Sequence, residues 1–147
     1  MSDPDPNEKL SLRFASAPEK VRDALSGINA FLTARDFSED DRATTEVVMA
    51  ELLNNIVEHA YLEDPTGEIC LSAGFCNGVL CFEVTDRGRA MPQDVLPEGK
   101  LPSSDGPLET LPEGGFGWFL LHSLTENLRY CRMAGTNVTR FSIPTTG

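Results

Sequence analysis

The stretch E-I-C-L-S-A-G-F-C-N-G-V-L-C-F-E-V-T-D, Glu68 to Asp86, decides the fold. Asn77-Gly78 at its centre is the strongest short hairpin signal, because both residues tolerate the positive φ that a two-residue turn demands. Such a turn fixes the register: Cys76 faces Val79, Phe75 faces Leu80, Ala73 faces Phe82 and Leu71 faces Val84. Side chains alternate across a strand, so one face reads Ile69, Leu71, Ala73, Phe75, Leu80, Phe82, Val84 and, at its far end, Asp86. The other face holds Cys70, Ser72, Gly74, Cys76, Cys81, Glu83 and Thr85, which is small and more polar. The pattern predicts a sheet covered by helices on one side only, with Asp86 pointing to the covered side where its strand gives out.

Toward the N-terminus, K-L-S-L-R-F-A-S alternates Leu10, Leu12 and Phe14 with polar residues, as a half-buried strand does. Ser16, Pro18 and Glu19 then read as a helix start, with a cap, a first-turn proline and an acid at capping-box spacing. Val21, Ala24, Leu25, Ile28, Phe31 and Leu32 carry that helix to about Ala34. Ser38 with Asp41 marks a second start, and this helix is expected to run to about Tyr61, with Pro65 and Gly67 at its exit. Beyond Asp86, residues 87–115 are rich in Pro and Gly and too long for a casual connection, which suggests a lid or binding loop. A third helix is expected from about Gly115 to Asn127, then a last hairpin, L-R-Y-C-R-M and N-V-T-R-F-S-I, around Ala134-Gly135-Thr136. The expected fold class is α+β, a two-layer α/β sandwich with a mostly antiparallel sheet and three helices on one face. Residues 1–8 read as a flexible tail and 9–147 as a single domain, without internal repeats.

The balance of 12 basic against 23 acidic residues, a formal −11, repels a phosphate backbone, so no direct nucleic-acid partner is expected. M-S-D-P-D-P-N-E-K has neither a basic nor an apolar leader region, and no apolar run approaches membrane-spanning length. A cytoplasmic chain without a membrane partner is therefore expected. The four cysteines, Cys70, Cys76, Cys81 and Cys131, form no C-x-x-C pair, and with two histidines they support neither a disulfide framework nor a zinc site. Asn137-Val138-Thr139 fits a glycosylation sequon but carries no weight in a cytosolic chain.

Three weak signals concern chemistry. In E-L-L-N-N-I-V-E-H-A-Y, Glu51, Asn55 and His59 stand four apart, forming one helical stripe about 12 Å long beside the core positions Leu52, Leu53, Ile56 and Val57. A carboxylate and an amide together suit a hard cation such as Mg²⁺ shared with phosphates. In T-D-R-G-R-A-M-P, a buried-side Asp86 can accept a hydrogen bond from an exocyclic amine while Gly88 lets a flat ring lie close. In E-G-G-F-G-W-F-L-L-H-S-L, Gly114, Gly115 and Gly117 at a helix mouth leave backbone N–H groups free for an anion. Neither a Walker A loop nor a Rossmann fingerprint is present.

Taken together and in order, Glu-x-x-x-Asn-x-x-x-His on a helix, Asp-x-Gly at a strand end, a long loop, Gly-Gly-Phe-Gly opening a helix and Gly-Thr in the last hairpin resemble the motif boxes of the GHKL (Bergerat-fold) ATPases. The wording of E-L-L-N-N-I-V-E-H-A-Y is most similar to the bacterial anti-sigma-factor serine/threonine kinases. The resemblance implies ATP and Mg²⁺ as cofactors. By it, Asn55 is the Mg²⁺ ligand and Glu51 the general base. Asp86 binds the adenine amine, Gly88 lines the base, Gly115 and Gly117 wrap the phosphates, and Thr136 helps hold Asp86 and a water at adenine. The loop at about 87–115 becomes the nucleotide lid. His59 matches the family histidine without an assigned role, and the phosphate clamp stays open among Arg87, Arg89 and Lys100.

The implied function is an ATP-binding anti-sigma factor that phosphorylates an anti-anti-sigma (STAS-type) protein and sequesters a sigma factor. A homodimer is expected from the resemblance alone. The alternative is a non-catalytic ATP/ADP-binding module that switches partners without phosphoryl transfer. A histidine-kinase catalytic half would need a phosphoacceptor supplied by another chain.

Overall fold

Residues 9–91 and 115–145 are described by a computed structural model. The Asn77-Gly78 turn closes as its residues dictate, with φ of 54° at Asn77 and 81° at Gly78, the paired positive values of a two-residue hairpin. It joins β2 (Glu68–Cys76) to β3 (Val79–Asp86) with Phe75 opposite Leu80, Leu71 opposite Val84 and Ile69 opposite Asp86. Ala134-Gly135, also at positive φ, does the same for β4 (Glu126–Met133) and β5 (Thr136–Ile143). With β1 (Leu10–Ala15) the strands form one antiparallel sheet in the order β1-β2-β3-β5-β4.

Helices α1 (Pro18–Thr33), α2 (Glu39–Asn55) and α3 (Gly115–Leu124) share one apolar core with the sheet. Ile28 and Leu32 of α1, Met49 and Leu53 of α2 and Leu121 of α3 meet Ile69, Leu71, Val84, Phe141 and Ile143. The β2–β3 residues expected to face the helices are buried except for the half-buried Phe75, and those expected to face away are partly or fully exposed. The α+β two-layer sandwich is the observed architecture.

Local chemistry set the helix boundaries, two of them away from expectation. Ser38 caps α2 as expected, accepting from the Asp41 N–H at 3.1 Å. Ser16 does not cap α1: the N-cap is Ala17, because the Ser16 hydroxyl donates instead to the Asp64 carbonyl while its N–H reaches the Gly67 carbonyl at 2.8 Å. The third helix stops at Leu124, not Asn127, since Glu126 already pairs with Ser142 in the sheet. Thr125 then donates its hydroxyl to the Leu121 carbonyl.

The second helix changes character at the stripe itself. After Asn55 the chain makes a π-helical turn, Ile56–Ala60, closed by the Tyr61 N–H on the Ile56 carbonyl at 3.0 Å. A π turn takes more residues per revolution than an α turn. Glu51 and Asn55 therefore keep their one-turn spacing, whereas His59 is rotated off their line. Among the described residues no helix is long and apolar enough to cross a membrane.

Candidate functional site

Asp86, last residue of β3, is buried at 5% exposure. Strand alternation turns it toward the helices, and its Oδ1 accepts two hydrogen bonds, from the Gly88 N–H at 2.9 Å and from Asn137 Nδ2 at 2.9 Å. Burial pushes its carboxyl above the usual carboxylate range; the bonds from Asn137 and Gly88 and the nearby Arg132 charge oppose that rise. Among the described residues Oδ2 has no hydrogen-bond partner, so one oxygen is anchored and the other remains an open acceptor.

Asn137 is the residue that sequence reasoning missed. It sits opposite Asp86 in the β3–β5 register and is 3% exposed. Its Nδ2 donates to Asp86 Oδ1, to the Arg89 carbonyl at 3.0 Å and more weakly to the Gly88 carbonyl at 3.3 Å. Its Oδ1 accepts from the Tyr130 hydroxyl and from Arg132 Nη1 at 2.8 Å. Thr136, the expected partner of Asp86, instead faces Met133 next to the hairpin turn, because the two-residue alternation of β5 puts 137, 139, 141 and 143 inside. Counting back by twos from Ile143 and Phe141 was the available signal.

Gly88, expected to line a base, packs against the end of the second helix. A Cβ built there would lie 2.5 Å from the Ala60 carbonyl oxygen and 2.6 Å from its carbon, so the missing side chain makes room for the end of the π turn. Around this contact the strand exit is tied on both sides. The Arg87 N–H donates to the Tyr61 hydroxyl at 2.7 Å, and the Arg89 N–H to the Ala60 carbonyl at 2.9 Å. Arg89 Nε reaches the His59 carbonyl at 2.7 Å, and the Met91 N–H reaches the Tyr130 hydroxyl at 3.1 Å. Of the stretch expected to be a lid, residues 87–91 are thus held in place. Residues 92–114, including Lys100, lie outside the described residues.

Asn55 is 7% exposed, and its Nδ2 donates to the Glu51 carbonyl at 2.8 Å. That carbonyl can only accept, so the amide orientation is fixed and Oδ1, the atom able to bind a metal, is left open among the described residues. Glu51 is half-buried one turn earlier on the same edge. No cluster of three or more His, Cys, Asp or Glu that could hold a metal ion occurs among the described residues. The His59 ring is exposed, 3.8 Å from the Glu58 carboxylate. Gly115 is the first residue of α3 and Gly117 lies in its first turn.

The structure therefore joins the strand end bearing Asp86 to the helix end bearing Asn55 through Gly88, Arg89 and the Ala60 carbonyl. Two clefts of about 210 and 680 Å³ lie on the opposite, uncovered face of the sheet, among residues such as Ser72, Glu83 and Arg140. They are not part of this arrangement.

Curated relatives that bear the name Serine-protein kinase RsbW include those of Oceanobacillus iheyensis and Bacillus mycoides. The one from Oceanobacillus iheyensis is 25% identical over 130 residues, 88% of this chain and 82% of its own. The one from Bacillus mycoides is 28% identical over 132 residues, 89% of this chain and 82% of its own. Among solved structures, the RsbU and RsbW domains of Rv1364c from Mycobacterium tuberculosis share the fold with a TM-score of 0.63 at 19% identity, over 95% of this chain. This chain spans 34% of that one. The resemblance to the GHKL ATPases stands: residues 14–143 match the family described as Histidine kinase-like ATPase domain, and the chain belongs to that family.

Proposed function

We propose that the chain binds ATP with Mg²⁺ and acts as an anti-sigma factor with serine/threonine kinase activity, phosphorylating a STAS-type anti-anti-sigma protein and sequestering a sigma factor. The observation that carries this reading is the Asp86 carboxylate, buried with one oxygen anchored and one open, beside the helix end that bears Asn55. A carboxylate so placed accepts from the exocyclic amine of adenine, and the triphosphate would then extend toward Asn55 and the first turn of α3. Gly115 and Gly117 would present backbone N–H groups to it. Asn55 Oδ1 would hold Mg²⁺, whose charge offsets that of the transferring phosphoryl group. Glu51 would take the proton of the partner's Ser or Thr hydroxyl as its oxygen attacks the γ-phosphorus and ADP leaves. The names of the RsbW relatives support a protein kinase; the partners and the cytoplasmic location are what the resemblance implies.

Nucleotide affinity measured with and without Mg²⁺ tests the site. Asp86→Asn should weaken ATP binding in both conditions, and Asn55→Ala should remove mainly the Mg²⁺-dependent part. Labelled γ-phosphate should pass to a STAS-type partner from the natural chain and not from Glu51→Ala. Nucleotide binding without any transfer would favour the partner-switching module.

A further inference from the structure

We infer that Arg132, which is remote from the reacting atoms, is a positioning residue that keeps Asp86 a hydrogen-bond acceptor and so makes the site select a 6-amino purine over a 6-oxo purine. The inference deepens the reading of Asp86 as the base contact and rests on it.

The geometry is a directed chain. Arg132 Nη1 donates to Asn137 Oδ1 at 2.8 Å and to the Gly88 carbonyl at 2.9 Å. A guanidinium has only donors, so Oδ1 must face it and Nδ2 must face Asp86, where it donates at 2.9 Å. Tyr130 reinforces the same orientation by donating to Oδ1 while its oxygen receives the Met91 N–H. Cation, amide and carboxylate are thus aligned so that each bond polarises the next. Both groups that reach Asp86 Oδ1 are N–H donors, which favours the ionised carboxyl.

Burial works the other way, raising the proton affinity of Asp86, and it is countered by the Asn137 and Gly88 N–H donors and then by the Arg132 charge, which also orients Asn137. Facing the same carboxyl are Tyr61, whose hydroxyl burial holds above its usual range, and Tyr130 through Asn137. The Arg87 and Arg89 side chains are exposed at the strand exit, with Arg89 Nε on the His59 carbonyl. Arg132 is therefore the cation that acts on Asp86 from behind.

The protonation state decides the base. An ionised Asp86 accepts from the amine of adenine. A protonated one donates instead, and suits the 6-oxo group of hypoxanthine.

ATP and ITP affinities of the full chain, measured calorimetrically from pH 5.5 to 8.5, test this. The natural chain and Arg132→Lys should prefer ATP across the range. Arg132→Gln keeps donors but loses the charge, and its preference should fall toward the acid end, where that of the natural chain holds, and recover as pH rises. An Arg132→Gln preference equal to that of the natural chain at every pH, with Asp86→Asn still impaired, overturns the role of Arg132 and leaves the base contact standing. If Asp86→Asn binds ATP as well as the natural chain does, the base contact itself fails. Should Arg132→Gln not fold, the carboxyl ¹³C shift of Asp86 in the natural chain decides: an ionised group at pH 7 is expected, and a protonated one refutes the inference.

Discussion

Replacing Gly88 by alanine separates a packing glycine from a ligand glycine. The added Cβ would sit 2.5 Å from the Ala60 oxygen, 2.6 Å from its carbonyl carbon and 2.7 Å from its Cβ. Two of these atoms are backbone and cannot swing aside. Ordinary contact requires a separation of roughly 1 Å more, which would pull the Arg89 N–H away from the Ala60 carbonyl it now meets at 2.9 Å. Overpacking costs about 1–3 kcal/mol, and the lost hydrogen bond about 1 kcal/mol, so about 2–4 kcal/mol is expected in total. With a urea slope of about 2 kcal/mol/M, the unfolding midpoint should fall by about 1–2 M, read by circular dichroism without nucleotide. Gly27→Ala supplies the contrast. Its Cβ would meet Leu12 Cδ1 at 3.7 Å, an ordinary contact inside α1, so about 0.5–1 kcal/mol of stabilisation is expected. A Gly88→Ala chain with the natural midpoint and a loss only in nucleotide affinity would refute the packing argument.

Tyr61→Phe removes the acceptor of the Arg87 N–H and the donor to the Glu68 carbonyl; a loss of about 1–3 kcal/mol is expected, and an unchanged melting temperature would count against it. Ser38→Ala should cost about 1 kcal/mol through the lost cap on Asp41, visible as a lower urea midpoint. Asp86 holds its proton more tightly folded than unfolded, so its contribution is lost as pH rises from the unfolded value of 3.8 through the raised one. Asp86→Asn should therefore be more stable than the natural chain at pH 7 without nucleotide, an advantage that shrinks below that window; equal or lower stability at pH 7 would contradict it. Burial and Cys76 push the Cys81 thiol up to about 11, so iodoacetamide at pH 8 should label Cys81 more slowly than the exposed Cys131. Peptide mass spectrometry reads the order, and equal rates would refute it.

The parts of this fold legible in the sequence are those set by neighbours along the chain. The Asn77-Gly78 turn fixed the β2–β3 register, alternation aimed Asp86 inward, and Ser38 announced α2. The rest depends on segments meeting in space. No local signal distinguishes a glycine that admits a ring from one that admits the Ala60 carbonyl. Ser16 looked like a cap because its competing partner, the Asp64 carbonyl, is 48 residues away. The π turn likewise ends where the strand exit bonds the His59 and Ala60 carbonyls, a meeting that helix spacing could not reveal. Asn137 is legible from the alternation of β5, one residue beyond the Gly-Thr pair that carries the resemblance.

All four thiols project from the sheet surface turned away from the helices, the side opposite Asp86 and Asn55. Maleimide dyes or spin labels can therefore be attached to the natural sequence without trespassing on the side proposed to take nucleotide. A reporter on Cys131 would share its strand with Tyr130 and Arg132, giving an optical view of ligand arrival from behind the sheet.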